Sequence, residues 1–249
     1  MSGMDPVDFG FERVSPAEKS ARVHGVFASV ARRYDLMNDL MSLGIHRLWK
    51  RFAVGVAGVR PGAQVLDVAA GTGDCARLFR RHVGASGSVT LCDMNDAMLH
   101  IGRDRLLDAG AASGVHYVRG NAELLPFAPN SFECVNIAFG LRNVTHKEQA
   151  LESMQCVLKY GGVAIVLEFS RLALPMLQRL YDVYSTRVIP SLGRLIAGDE
   201  SSYRYLVESI RMHPDQEALQ RMMEQAGFSR VGYYNLSGGI VAVHRGYKL

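Results

Sequence analysis

The segment VLDVAAGTGDCARLF combines a glycine loop with acidic residues. Gly71, Gly73 and Ala76 have the G-x-G-x-x-A spacing of a loop that joins a strand to a helix and binds a nucleotide. Asp67 precedes the loop and Asp74 follows it. Both carboxylates would repel a pyrophosphate, which a helix N-terminus otherwise attracts. We therefore expect a nucleoside ligand that carries positive charge.

S-adenosylmethionine is the nucleoside that fits these residues. It has an ammonium, a sulfonium and no phosphate, so Asp67 and Asp74 would stabilise its methionine end. Asp93 ends the next apolar run, at the distance from the loop where an acid accepts hydrogen bonds from ribose hydroxyls. Two structural alternatives stay open: Asp74 can cap the helix, and Asp67 can be a hydrogen-bonded acid at a strand end.

The sequence GNAELLPF follows a third apolar run and supplies candidates for the adenine end. The Asn121 amide and the Ala122 backbone N–H can read the adenine edge there, although Asn121 can instead cap a turn. The predicted cofactor-binding set also includes Thr72, Met94 and Ala138.

The elements that must position these residues alternate between strand and helix patterns from residue 64 onward. Strand patterns cover 64–70, 88–94, 115–120, 132–140 and 162–169, and helical patterns cover about 73–83, 95–109 and 146–158. This alternation predicts an α/β fold with a Rossmann-like, doubly wound, mostly parallel sheet. A helical stripe that stops at Gly227 and two closing strands joined by Ser-Gly-Gly predict an antiparallel hairpin at one sheet edge.

We expect one domain built from four parts. Residues 1–60 form an N-terminal tail of about 20 polar residues and a helical cap, in which Val23, Val26 and Phe27 begin an apolar stripe. Residues 61–170 form the cofactor-binding core. Residues 171–213 form an inserted helical lid, and residues 214–249 supply the last helix and the closing strands.

Composition excludes several classes of protein. The 249 residues are 48% hydrophobic, which suits one substantial core, and no run is long and apolar enough to span a bilayer. We find no signal-peptide pattern and expect a cytoplasmic protein. The basic residues are scattered along the chain, which disfavours nucleic-acid binding. The net charge of +4 is compatible with an anionic membrane surface.

The four cysteines lie far apart without a C-x-x-C pair, so we predict reduced thiols in core positions and neither a metal site nor a disulfide framework.

Six segments resemble one family. They are VFASVARRYDLMNDLMSLGIHRLWK, LDVAAGTGD, YVRGNAELLPF, FGLRNV, SYRYLVESIRMHPDQ and HRGYK. Over nearly the whole chain the sequence resembles the ubiquinone/menaquinone biosynthesis C-methyltransferases, a class I S-adenosylmethionine-dependent family. Ala138 departs from the pattern, since a serine is common before FGLRNV. The resemblance implies methylation of a ring carbon of 2-polyprenyl-6-methoxy-1,4-benzoquinol, demethylmenaquinol or both.

Four residues are predicted to be catalytic. A ring carbon becomes nucleophilic only as a neighbouring hydroxyl loses its proton, so the substrate must be the reduced quinol. Arg142 would stabilise the quinolate oxygen, unless it forms a structural salt bridge. Asn143 would hold the second ring oxygen, unless it caps the next helix. Tyr34 would close over the cofactor, unless it only packs, and His46, like His213, is a candidate base, although either can be structural.

The predicted lid contains a groove of apolar residues for the prenyl tail, unless they only pack the lid: Leu177, Leu180, Tyr181, Tyr184, Ile189 and Leu192. The residues leave three hypotheses about partners open: peripheral association with the inner face of the membrane, membership of a biosynthetic complex, and a homodimer. Three alternative functions also stay open: an O- or N-methyltransferase of another small metabolite, a non-catalytic S-adenosylmethionine-binding protein, and a nicotinamide dehydrogenase.

Overall fold

The computed structural model describes residues 5–30, 38–39, 42, 44–172 and 200–249. The first elements are a small antiparallel hairpin, β1 (Val7–Phe9) and β2 (Glu12–Val14), and helix α1 (Pro16–Val30). Ser15 accepts a hydrogen bond from the Glu18 backbone N–H at 3.2 Å, so the sequence SPAE begins α1 as an N-cap followed by a proline. The predicted polar tail of about 20 residues is therefore wrong over residues 7–20, which form the hairpin and the first turns of α1.

The remaining elements follow the predicted alternation. They are α2 (His46–Ala57), β3 (Gln64–Val68), α3 (Asp74–Val83), β4 (Ser88–Asp93), α4 (Asp96–Asp108), β5 (Val115–Arg119), β6 (Phe132–Ala138), α5 (Lys147–Val157), β7 (Leu158–Phe169), α6 (Glu200–Met212), α7 (Gln216–Gln225), β8 (Ser229–Leu236) and β9 (Val241–Tyr247). The predicted strands and helices of the core agree with these bounds to within a few residues.

Seven strands form one sheet in the order β5-β4-β3-β6-β7-β9-β8. The first five are parallel to one another, and β9 runs antiparallel to both β7 and β8. The mostly parallel sheet and the closing hairpin at its edge are confirmed. The chain crosses from β3 to β4 on one side and later returns to β6 on the other, so a crevice opens at the carboxyl end of β3, where open α/β sheets bind ligands.

The core has two apolar layers, one on each face of the sheet. Helices α2, α3 and α4 pack on one face through residues such as Ala53, Phe79 and Leu106. Helices α5 and α7 pack on the other face through residues such as Leu151 and Met223. All five of these side chains are at most 1% exposed, and burying each of them stabilises the fold by about 1–3 kcal/mol.

Three of the four cysteines are buried as expected, but Cys156 is exposed. It lies on the outward face of α5, between the buried positions Met154 and Val157, so the prediction of a core position is wrong for this residue. Tyr34 and the six apolar residues of the predicted prenyl groove lie outside the described residues. None of the described helices is long and apolar enough to cross a membrane.

Candidate functional site

A cavity lies at the carboxyl ends of the parallel strands, in the crevice beside β3. We call it the strand-end cavity. Six of the predicted site residues line it: Gly71, Asp93, Met94, Asn121, Ala122 and Asn143. They come from four separate stretches of the sequence, and the strand order brings them together.

Asp93 is one of two acidic residues that the described lining of the strand-end cavity contains, the other being Glu123. Its two carboxylate oxygens accept backbone hydrogen bonds from Gly71 at 2.8 Å and from Asn95 at 2.9 Å. Burial raises the pKa of Asp93, and these backbone donors oppose the shift. The contacts hold the carboxylate beside the glycine loop, and its remaining lone pairs can accept from a ligand diol.

The backbone around the cavity has two unusual residues. Ala69 and Phe139, which both line the cavity, have positive φ angles of 49° and 56°. Strain of this kind is concentrated at binding sites. Between the two strand ends, a Cβ on Gly140 would lie 2.6 Å from the Ala69 Cβ, so glycine lets β3 and β6 approach closely.

Helix α1 forms a further wall of the strand-end cavity. Val23 and Phe27, part of the predicted apolar stripe, line it together with Ser20 and His24. Lys19 attaches α1 to the core, because its Nζ donates to the Val144 carbonyl at 3.1 Å.

Asn121 makes a local contact as well as lining the cavity. Its Oδ1 accepts from the Glu123 backbone N–H at 3.0 Å, which matches the turn-capping alternative. The Glu123 carboxylate in turn accepts from the backbone N–H groups of Thr145 at 3.0 Å and His146 at 3.1 Å. These bonds join the loop after β5 to the loop after β6.

A second cavity lies on the other side of the glycine loop, between α2, α3 and α4. We call it the basic cavity, because Arg47, Arg51, Arg77 and Arg81 help to line it. Four predicted site residues line this cavity instead of the first: His46, Thr72, Gly73 and Asp74.

Asp74 has an internal partner in the basic cavity. The Lys50 Nζ donates to Asp74 Oδ2 at 2.7 Å, and the pair is largely buried. Burial alone would raise the pKa of Asp74, but the Lys50 ammonium outweighs burial and lowers it. The helix cap is Gly73, so Asp74 is the first residue of α3 and the capping alternative does not describe it.

His46 also has local partners. Its Nδ1 lies 2.8 Å from the Ser42 Oγ and 3.7 Å from the Asp39 Oδ1. These contacts match the structural alternative for this histidine.

Asp67 is buried in the sheet and lines neither of the two cavities. The Asn136 Nδ2 donates to its Oδ1 at 2.6 Å. Burial raises the pKa of Asp67 to about 7, against the effects of Asn136 and Lys50. This arrangement matches the alternative of a hydrogen-bonded acid at the strand end.

Arg142 is buried and forms the salt bridge that the sequence left as an alternative. Its Nη1 donates to Glu168 Oε1 at 2.9 Å and also to the Phe139 carbonyl. The guanidinium carbon lies 5.5 Å from the centre of the Phe169 ring. Arg142 lines neither cavity, so its contacts position the Phe139 segment.

Asn143 lines the strand-end cavity, and Tyr205 of α6 orients its side chain. The phenol donates to Asn143 Oδ1 at 3.2 Å, while the Tyr205 ring stacks on Phe9 of β1 with the ring centroids 4.2 Å apart. Burial raises the pKa of Tyr205 to about 12, so the phenol keeps the proton that it donates. The helix-capping alternative does not describe Asn143, since the N-cap of α5 is His146.

The sequence profile of the ubiE/COQ5 methyltransferase family matches residues 16–248. The chain belongs to the ubiE/COQ5 methyltransferase family. The predicted resemblance, the methyltransferase class and S-adenosylmethionine as the methyl donor are thereby confirmed.

Two relatives of this family match over nearly their whole length. A protein of Teredinibacter turnerae named ubiquinone/menaquinone biosynthesis C-methyltransferase UbiE is 56% identical over 248 residues, covering 100% of both chains. One of the same name from Vibrio cholerae is 59% identical over 240 residues, covering 96% of this chain and 92% of the relative. A solved S-adenosylmethionine-dependent methyltransferase of Aquifex aeolicus has a TM-score of 0.63 at 16% identity, covering 86% of this chain and 98% of that one, and this likeness shows the fold.

The S-adenosylmethionine expected for a ubiE/COQ5 methyltransferase fits the residues of the strand-end cavity. Asp93 presents a carboxylate suited to ribose hydroxyls, the loop at Gly71 presents bare backbone, and a Cβ added to Gly71 would meet nothing within 4 Å. Ala138 precedes the lining residue Phe139 but does not itself line either cavity.

Sequence reasoning missed several residues of the strand-end cavity, among them His24, Glu123 and His146. No spacing rule points to His24, because it lies on α1, far from the glycine loop in sequence. A signal for His146 was available, since it stands four residues after Arg142 in a loop that follows a predicted strand.

Proposed function

We propose that this protein transfers a methyl group from S-adenosylmethionine to a ring carbon of a prenylated quinol, either 2-polyprenyl-6-methoxy-1,4-benzoquinol, demethylmenaquinol or both. The observation that carries this proposal is the match to the Teredinibacter turnerae protein named as such a C-methyltransferase, which covers 100% of both chains. The strand-end cavity supports it, because acidic, amide and apolar groups meet there in one crevice.

The cofactor's nucleoside would be held by the residues at the ends of β4 and β5. The Asp93 carboxylate would accept hydrogen bonds from the ribose hydroxyls. Met94, Asn121 and the Ala122 backbone line the same cavity and would hold the base. When bound, S-adenosylmethionine supplies an electrophilic methyl group on a sulfonium.

The Phe139–His146 segment would hold the quinol. The Asn143 amide, fixed by Tyr205, donates to one ring oxygen, while Phe139, Val23 and Phe27 supply apolar walls that exclude water. Arg142 keeps this segment in place through Glu168 and acts as a positioning residue. Holding the ring carbon in line with the methyl group can supply several kcal/mol of the rate acceleration.

A general base must take the proton of the quinol hydroxyl. Two imidazoles line the strand-end cavity, His24 of α1 and His146 of the loop after β6, whereas His46 lines the basic cavity. We therefore propose that His24 or His146 accepts this proton, with a contribution of about 10²–10⁴-fold to the rate. Replacing each by glutamine identifies the base, because only the variant that lacks it loses this contribution to kcat while it still binds S-adenosylmethionine.

The other predicted residues enter this proposal in supporting roles. Asp67 lies in β3 before the glycine loop, and Thr72, Gly73 and Asp74 line the basic cavity on the other side of that loop. Ala138 precedes the cavity wall at Phe139. Tyr34 lies outside the described residues, and its role over the cofactor stays a prediction, as do the homodimer and the biosynthetic complex. The prenyl tail of the substrate leads us to propose peripheral association with a membrane.

The experiment is methyl transfer from labelled S-adenosylmethionine to short-tailed demethylmenaquinol and to short-tailed 6-methoxybenzoquinol, each reduced and oxidised. We expect carbon methylation of the reduced forms alone. Methylation at oxygen, or binding of S-adenosylmethionine without turnover of either quinol, would refute the substrate assignment and favour an O- or N-methyltransferase of another metabolite.

A further inference from the structure

Helix α2 exposes an unusual amount of apolar surface. Leu48 is 59% exposed, and Phe52 and the preceding residue Ile45 are each 40% exposed. Their spacing of three and four residues puts them on one side of the helix. Tyr234 of β8 extends the patch, because its ring packs edge-on against Phe52 with the centroids 5.7 Å apart. A contiguous exposed patch of large apolar side chains marks an interaction surface.

Arginines border this apolar patch on one side. Arg47 and Arg51 precede Leu48 and Phe52 by one position each, so the basic and apolar stripes run side by side along α2. Across the basic cavity, Arg77 and Arg81 project from α3 one helical turn apart. All four arginines are exposed.

Two carboxylates of this region are engaged in ion pairs. Asp74 binds Lys50 at 2.7 Å, and Asp39 binds Arg47 at 2.6 Å. Because arginines outnumber the lining carboxylates, the basic cavity carries a local excess of positive charge. This local charge favours an anionic partner.

We propose that Ile45, Leu48, Phe52 and Tyr234, with Arg47, Arg51, Arg77 and Arg81, dock the protein on an anionic lipid bilayer. We call these eight residues the α2 surface. A helix with an apolar stripe beside an arginine stripe suits the membrane interface, where the apolar side chains enter the acyl boundary and the guanidinium groups stay among the headgroups.

The charge pattern favours a bilayer over a protein partner. Exposed arginines on both α2 and α3 match a layer of phosphates, which needs no complementary shape, and the flanking apolar residues match the acyl chains beneath it. The α2 surface also lies close to the reaction, because the basic cavity and the strand-end cavity share the glycine loop. The inference rests on the proposed function only for the expectation that the substrate resides in the bilayer.

The test is sedimentation of the full chain with vesicles of phosphatidylcholine alone and of phosphatidylcholine mixed with phosphatidylglycerol. We expect binding to the anionic vesicles that weakens as salt is added. The double variant Arg77→Ala/Arg81→Ala should bind about 30-fold more weakly, since each arginine near an anionic surface is worth about fivefold. Leu48→Ser/Phe52→Ser should also weaken binding, and circular dichroism checks that each variant folds.

Arg221→Ala is the matched control. Arg221 is an exposed arginine of α7, which packs on the opposite face of the sheet from α2 and α3. This variant should bind vesicles like the unaltered protein. Three results with vesicles would overturn the proposal: equal binding to neutral and anionic vesicles, no vesicle binding at all, or undiminished binding by both double variants. It would also be overturned if the double variants lost self-association and kept vesicle binding.

Activity toward a short-tailed quinol in solution separates this inference from the proposed function. The α2-surface variants should retain that activity while losing vesicle binding. If no variant methylates the quinol but anionic vesicles are still bound through the α2 surface, the proposed function fails and the docking surface stands.

Discussion

The buried ion pair between Arg142 and Glu168 is a place where one substitution should strongly destabilise the protein. The two side chains are 4% and 1% exposed, and the Nη1 to Oε1 distance is 2.9 Å. Glu168 also accepts from the backbone N–H of Phe169 at 2.9 Å, so its carboxylate cannot turn to water. Arg142→Met leaves this carboxylate buried and without its cation.

The expected cost follows from that burial. Removing one partner of a buried pair destabilises a protein by about 3–5 kcal/mol. For a chain of 249 residues, 1 kcal/mol shifts the Tm by about 2–4 °C, so the Tm should fall by about 6–20 °C. Differential scanning calorimetry measures this, with urea denaturation as a second measure of the free energy of unfolding.

A double variant isolates the charge from the packing. In Arg142→Met/Glu168→Gln the buried site is neutral, and the glutamine oxygen still accepts from Phe169, so at least half of the lost stability should return. The control is Arg103→Met, because Arg103 and Asp104 form an exposed pair at 3.1 Å whose loss should cost less than about 1 kcal/mol. A loss from Arg142→Met as small as that control, or no recovery in the double variant, would show that an unpaired buried charge is not the cause of the destabilisation.

Three further predictions concern the cavity and the sheet. Asp93→Asn should weaken S-adenosylmethionine binding about 10- to 100-fold in titration calorimetry, because hydrogen bonds to a charged group are lost. The control Asp96→Asn, at an exposed position, should leave binding unchanged. Equal effects of the two variants would contradict the ribose contact. Gly140→Ala should lower the free energy of unfolding by about 1–3 kcal/mol, because the added Cβ would lie 2.6 Å from the Ala69 Cβ. In the control Gly55→Ala the added Cβ meets nothing within 4 Å, so thermal unfolding should show a neutral or stabilising effect. The pKa of Asp67 is about 7 in the folded protein against a reference value of 3.8, so between pH 4 and 7 the unfolded chain has released a proton that the folded protein keeps. The free energy of unfolding should therefore fall by up to about 4 kcal/mol as the pH rises through this range. Asp67→Asn should flatten that slope in urea denaturation, and an unchanged slope would exclude Asp67 as its source.

The sheet and its helices could be predicted from the sequence because each core element carries a strong local pattern. Examples are the buried apolar run at residues 64–68 and the amphipathic pattern at 74–83. Gly227 follows the end of α7, as expected. The closing hairpin was recognisable from its turn residues. Patterns of this kind depend on near neighbours in sequence, so they need no knowledge of the rest of the fold.

The N-terminal hairpin could not be recognised in the same way. Its strands have three residues each, and the pairing is completed by distant contacts: the Phe11 N–H donates to Glu208 at 3.2 Å, and Phe9 stacks on Tyr205. Such contacts appear only once α6 has packed. The capping sequence SPAE was nevertheless a readable signal for the start of α1.

The candidate site was only partly predictable, because closeness in sequence does not decide which side of a loop a residue faces. Gly71 and Asp93 meet in the strand-end cavity as expected, whereas Asp74 points from the same loop into the basic cavity and binds Lys50. Lys50 lies 24 residues earlier in the chain than Asp74 and supplies the cation that the carboxylate binds, so the carboxylate itself does not require a cationic ligand. Asp67, likewise, is bound by Asn136 of a neighbouring strand.

A crystal structure of the protein with S-adenosylhomocysteine, the product of methyl transfer, tests the cofactor site in the strand-end cavity. We expect the ribose hydroxyls within hydrogen-bonding distance of the Asp93 carboxylate and the adenine beside Asn121 and Ala122, in the strand-end cavity. A nucleoside bound instead in the basic cavity, against Asp74 and Lys50, would contradict it.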